Sequence, residues 1–162
     1  MVGMRIVRGA SGSQSQSSEK PSRSSILEID SWMPSRIEAI SPLVDRLMLL
    51  IEGSRCISGE ERDVELALRE ALANAVAHGN DKGQIKVHIR CCCGTGNEVS
   101  IIVTDQGKKF DFGNITGDSG TSEPSGEHNQ EIQLMKAYMD DVYFERGGSE
   151  VHMHKRARNS SH

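Results

Sequence analysis

Glu70, Asn74 and His78 recur every four residues within Glu70-Ala71-Leu72-Ala73-Asn74-Ala75-Val76-Ala77-His78-Gly79, a spacing that puts three polar side chains on one face of a helix. An amide oxygen is a hard, neutral ligand for Mg²⁺, and a carboxylate one turn away can orient or deprotonate an attacking hydroxyl. Glu70 and Asn74 therefore suit magnesium-nucleotide chemistry. A polar stripe facing water on an amphipathic helix has the same spacing, so spacing alone leaves both readings open. His78, near the helix end, fits a phosphate contact, a cap or a packing role.

A second candidate is Val103-Thr104-Asp105-Gln106-Gly107, an acid and a glycine at the end of an apolar run. Asp and Gly are ordinary turn formers, so the pair carries meaning only through what surrounds it. His152 and His154 fall on the same side of a closing strand with Lys155 beside them, but no third or fourth well-spaced ligand is visible, and a metal site is not expected there. The four cysteines, Cys56 and the run Cys91, Cys92 and Cys93, lack the C-x-x-C spacing of a zinc site. A strand scatters such a run over both faces, so they are expected to be reduced and to act as small strand residues. Met135 and Met139, one turn apart, read as core.

Elements that could position these groups follow from hydrophobic periodicity. Ile26, Leu27 and Ile29 lead into Trp32 as a strand ended by Pro34. From Arg36 to Gly53, apolar residues at three-to-four-residue spacing predict a helix, with Pro42 as a kink or true start and Gly53 as its stop. Ser58-Gly59-Glu60-Glu61 has the capping-box pattern and opens the helix that carries Glu70 and Asn74 to Gly79. Gln84 to Cys93 and Glu98 to Thr104 predict a hairpin around Gly94-Thr95-Gly96-Asn97. Asp105 to Gln130 is too long and too rich in Gly, Ser, Asp and Asn for an ordinary connection, and its Asn114 to Gln130 part is expected to be a lid. Ile132 to Met139 predicts a helix, and Val142 to Glu145 with Ser149 to His154 a final hairpin around Gly147-Gly148.

At 162 residues, the chain is sized for one core. Three parts are expected: a polar, disordered leader over 1–25, an ordered domain over 26–157 and a short flexible tail over 158–162. A net charge of -4, with no basic stripe interleaved with aromatics, argues against direct nucleic-acid binding. No apolar run reaches the roughly 18 residues that span a bilayer, and no secretory signal is visible, so a cytoplasmic protein is expected.

Glu70 to Gly79 resembles the N box of the GHKL ATP-binding fold shared by gyrase, heat-shock ATPase chaperones, histidine kinases and MutL. Its form E-A-x-x-N-A-x-x-H-G is similar to that of the bacterial anti-sigma serine/threonine kinases. The resemblance, running roughly from Ile26 to Lys155, implies an α/β two-layer sandwich with a mixed, mostly antiparallel sheet and helices on one face. It implies Glu70 as catalytic base and Asn74 as Mg²⁺ ligand. Asp105 would accept a hydrogen bond from the adenine amino group, Gly107 would let the base approach, and Ser149 stands where the family often has an adenine-holding Thr. His78 would belong to the nucleotide pocket. Leu134 to Val142 is similar to the family's last helix and the turn after it.

Such proteins bind a sigma factor and use Mg²⁺ and ATP to phosphorylate a serine or threonine of an anti-anti-sigma (STAS-type) partner; homodimerisation is left open. The chain departs from the wider superfamily at two places. Lys109 stands at the second glycine of D-x-G-x-G, and Asn129-Gln130-Glu131-Ile132 aligns with G-x-G-[LI]. Side chains there crowd a phosphate cradle, and Glu131 adds negative charge. Those departures support an alternative, a non-enzymatic partner-binding module on the same fold. A histidine kinase is disfavoured, since no helical-hairpin segment precedes the domain to present a phosphoacceptor histidine.

Overall fold

A computed structural model of the chain describes residues 3–8, 25–78, 86–105 and 126–158. Alternation in the central strands decides the architecture. Leu27, Ile29 and Met33 are buried in β2 (Ser25–Pro34), Val87, Ile89, Cys91 and Cys93 in β3 (Lys86–Gly94), and Val99, Ile101 and Val103 in β4 (Glu98–Asp105). Successive side chains point to opposite faces, so each strand contributes one apolar and one polar side. Register then lines up Ile29, Cys91, Ile101 and Met153 in a row across β2, β3, β4 and β6 (Glu150–Arg156).

With β1 (Gly3–Arg8) and β5 (Asp141–Glu145) the strands form one sheet in the order β1-β2-β3-β4-β6-β5, and every pairing is antiparallel. Helices α1 (Ile40–Ser54), α2 (Glu61–His78) and α3 (Gly126–Tyr138) complete it. α1 packs on β2, α2 on β3 and β4, and α3 along α2 and against β5. Their buried faces and the sheet's apolar face form one core. The expected sandwich, helices on one face of a mostly antiparallel sheet, is the fold observed.

Four local expectations change. The leader expected over 1–25 contains β1, paired with β2 from Gly3↔Trp32 to Arg8↔Leu27. Backbone pairing more than apolar burial orders it: Met4 packs on the core, but Ile6 and Val7 stay exposed, which is why composition gave no warning. Residues 9–24 and most of the expected tail lie outside the described residues. The first helix is entered through a 3-10 turn, Ile37–Ala39, and Pro42 sits in the first turn of α1, where a missing N–H breaks no intrahelical bond. α1 ends at left-handed Arg55, φ 57°, not at Gly53. α2 begins at Glu61 rather than three residues earlier, so the expected capping box is replaced by other contacts: Gly59 N–H donates to Glu61 Oε2 at 2.8 Å, and the Ser58 hydroxyl donates back to the Arg55 carbonyl at 3.3 Å.

The expectation of four reduced cysteines is also overturned, since Cys56 and Cys93 form a disulfide. Alternation does scatter the run, leaving Cys92 exposed and Cys91 and Cys93 buried. That inward turn brings Cys93 under the α1–α2 connection, where Cys56 lies with a Cα–Cα distance of 5.7 Å, within bridging range. Burial pushes the Cys91 thiol up to about 12, with a smaller contribution from Cys92.

Lys155 lies on the inner face of β6 at 3% exposure. Its Nζ donates to the Tyr138 carbonyl at 2.7 Å and meets Asp63 Oδ2 at 3.4 Å and Glu60 Oε2 at 3.5 Å. It thus ties β6 to the start of α2 and the end of α3. The cost of a buried ammonium is offset only when its partners are in place, and removing it leaves Glu60 to the exposed guanidinium of Arg158 at 3.8 Å.

Two outcomes follow. Lys155→Ala lowers unfolding free energy by about 2–3 kcal/mol, less than for a fully buried pair because Asp63 is partly solvated; a urea titration with unchanged slope checks it. Iodoacetamide on the native, unreduced protein labels Cys92 first, reaches Cys91 only after denaturation, and reaches Cys56 and Cys93 only after reduction, as read by peptide mass spectrometry.

Candidate active site

The roll of α2 sets the site. Val64, Ala67, Leu68, Ala71, Leu72 and Ala75 are buried, and their spacing turns one stripe of the helix into the core. Glu70 and Asn74 lie at the stripe's edge rather than on the outer face: Asn74 is 6% exposed and Glu70 half-buried. A buried amide is costly unless it has polar partners, so Asn74 is not part of a solvated surface stripe. Asn74 thus faces the core side of the helix, whereas Glu70 keeps part of its side chain in solvent.

Beneath α2, β4 ends at Asp105, which is 8% exposed and shares the helix-facing side with Ile101 and Val103. The Asp105 N–H donates to the Ser149 carbonyl at 2.7 Å. The Ser149 hydroxyl donates to the Arg146 carbonyl at 2.9 Å, closing the short turn in which Gly147 and Gly148 adopt φ of 65° and 90°. Only glycine takes such values at no steric cost. Asp105 and Ser149, separated by more than forty positions in the sequence, are thus backbone neighbours.

Glu70 and Asn74 stand together on α2, Asp105 and Ser149 together at the end of β4, and α2 packs on that strand. His78 is the last residue of α2, its side chain outside the described part. Gly107 lies outside the described residues, as do Lys108 and Lys109.

The lid expected over Asn114 to Gln130 lies partly outside the described residues and partly inside a helix. α3 begins at Gly126, well before the expected Ile132, and takes in Asn129-Gln130-Glu131. Apolar periodicity detects only the buried face of a helix, and the opening turns of α3 carry none. Gln130 is exposed and Glu131 half-buried on α3, in positions where glycines would weaken the helix.

On the opposite, open face of the sheet, sequence reasoning missed Glu145 and Glu150, whose carboxylates approach His152. The signal was the β5–β6 register, which a single strand's spacing does not contain. His154 bonds Glu98 at 3.0 Å instead, and Lys155 points into the core. Among the described residues no helix is long and apolar enough to cross a membrane.

Residues 33–155 match the family model of the histidine kinase-like ATPase domain. Similar relatives include the anti-sigma F factor of Clostridium botulinum (strain Eklund 17B), 32% identical over 105 residues that cover 60% of this chain and 71% of that protein. The serine-protein kinase RsbW of Bacillus velezensis is 34% identical over 87 residues, 49% of this chain and 54% of that protein. The family match runs from the end of β2 into β6 and takes in both halves of the candidate site, so the chain belongs to the histidine kinase-like ATPase domain family, alongside anti-sigma factor and serine-protein kinase relatives.

Proposed function

We propose that the chain is a cytoplasmic anti-sigma regulatory factor that holds a sigma factor and phosphorylates a serine or threonine of an anti-anti-sigma, STAS-type partner at the expense of ATP. Family membership implies ATP binding. The observation that carries the finer reading is Asn74, an amide kept buried on α2 with Glu70 one turn before it. An amide and a carboxylate are a hard-oxygen donor set that fits Mg²⁺. When bound, the ion supplies positive charge to the phosphate oxygens.

In this reading Asn74 provides the neutral ligand oxygen, and Glu70 takes the proton of the attacking hydroxyl. Asp105, with its backbone fastened to Ser149, offers its carboxylate to the adenine amino group, and the Ser149 hydroxyl lies beside the same strand end. His78 and Gly107 complete the pocket by resemblance. A phosphate added to the partner brings nearly two negative charges into a packed interface and releases it.

A second reading, a partner-binding module without turnover, draws on one observation. Asn129-Gln130-Glu131 is helical, so among the described residues no glycine-rich turn stands directly before Ile132 to wrap phosphate.

Two measurements separate these. Calorimetry with Mg²⁺ and ATP or ADP gives binding heat, and saturating nucleotide raises the melting temperature, because a ligand that binds only the folded state stabilises it. No heat and no stabilisation at millimolar nucleotide favours the module. Asp105→Asn weakens nucleotide binding about 10–100-fold, the worth of a hydrogen bond to a charged group. Glu70→Ala leaves binding within about threefold but lowers phosphate transfer to the partner by about 10²-fold or more, because a base acts in the transition state. Equal loss of binding in both folded variants contradicts this division of roles.

A further inference from the structure

Glu145 and Glu150 face each other directly across the β5–β6 pairing, and Tyr143 faces His152 one step along on the same side. Like charges directly opposite on adjacent strands repel, so this arrangement calls for a cation between them. The side chains converge instead of splaying apart. His152 Nε2 lies 2.6 Å from Glu150 Oε1 and 3.4 Å from Glu145 Oε2, and one ligand atom from each residue lies within 4.8 Å of the others. Tetrahedral zinc ligands at about 2.0–2.2 Å from the ion stand roughly 3.4 Å apart, so small side-chain rotations open this triangle to hold one.

Its supports are already in place. The Tyr143 ring stacks on His152 with centroids 4.7 Å apart and an interplanar angle of 12°, fixing the imidazole plane. The Thr104 hydroxyl donates to Glu150 Oε2 at 3.2 Å, leaving the other carboxylate oxygen toward His152. Outer contacts of this kind orient metal ligands. The nearest competing cation, Arg146, is 3.6 Å from Glu150 Oε2 with 72% of its side chain exposed, so it can swing away at little cost.

We propose that Glu145, Glu150 and His152 form a binding site for a Zn²⁺-like divalent ion on the open face of the sheet, with water in the fourth position. Imidazole nitrogen with two carboxylates suits zinc and its transition-metal neighbours, not Mg²⁺ or Ca²⁺, which take oxygen. The site lies on the face opposite Asp105 and is independent of the nucleotide reading. By clamping β5 to β6 it also steadies the Gly147-Gly148 turn that presents Ser149.

The test uses the full chain, stripped with a chelator and titrated with Co²⁺. Tetrahedral ligand-field absorption saturates, Zn²⁺ bleaches it, and excess Mg²⁺ leaves it unchanged. His152→Ala and Glu145→Gln each weaken the ion at least about tenfold, and Thr104→Val weakens it about tenfold through Glu150. Glu145 is on the surface, so its variant keeps the fold, which circular dichroism verifies. Three results would overturn the assignment: no cobalt spectrum, wild-type affinity in the folded Glu145→Gln variant, or a thiolate-to-cobalt band that places the ion on Cys92.

Discussion

Contact between α2 and the inner face of β3 and β4 is the constraint around which the rest of this molecule is arranged. Leu68 and Leu72 are fully buried against it, each contributing about 1.5–3 kcal/mol through lost water contact. Ala67, Ala71 and Ala75 leave little side chain between helix and sheet. A helix turns 100° per residue, so a slip of one position would carry Asn74 away from the seam and put a charged residue into the core. Hydrophobic packing therefore sets the angular position of the polar pair, and the chemistry inherits its precision from the core.

The two faces of the sheet answer different demands. Apart from Ser31, the inner face is apolar until it reaches its ends, where Asp105 and Lys155 take over. Lys155 collects a carbonyl from the end of α3 and carboxylates from the start of α2, so the helices are held by a directional contact as well as by area. The outer face is a ladder of paired side chains: His88 with Asp30 and stacked on Trp32, His154 with Glu98, His152 with Glu150. Their geometry matters, because register makes neighbours of residues far apart in sequence.

Period-two and period-four patterns made most of this legible. Val87, Ile89 and Cys91, then Val99, Ile101 and Val103, declare a sheet with one buried side, and the α2 stripe declares a helix lying on it. Glu70 and Asn74 were legible as a pair for the same reason, since one helix carries both. What escaped is what depends on two elements at once. The Asp105–Ser149 hydrogen bond needs β4 beside β6, the Cys56–Cys93 bridge needs β3 under the α1–α2 turn, and Glu145 with Glu150 needs the β5–β6 register. The early start of α3 escaped because polar helix turns carry no periodic signal, and β1 escaped because an edge strand is ordered by its neighbour's backbone.

That edge strand has a consequence for how the molecule keeps to itself. β2 is ten residues long, and without a neighbour it would present a row of open amide and carbonyl groups flanked by Ile26 and Ile29, a template on which other chains could stack. β1 covers it from Leu27 to Trp32, and Ser31 Oγ adds a bond to the Gly3 carbonyl at 3.0 Å. Among the described residues, what remains open is the outer edge of a six-residue strand that carries Arg5, shorter and charged. The first residues of the chain thus act as a selvedge, a finished border that stops the weave of the sheet from continuing into a neighbour.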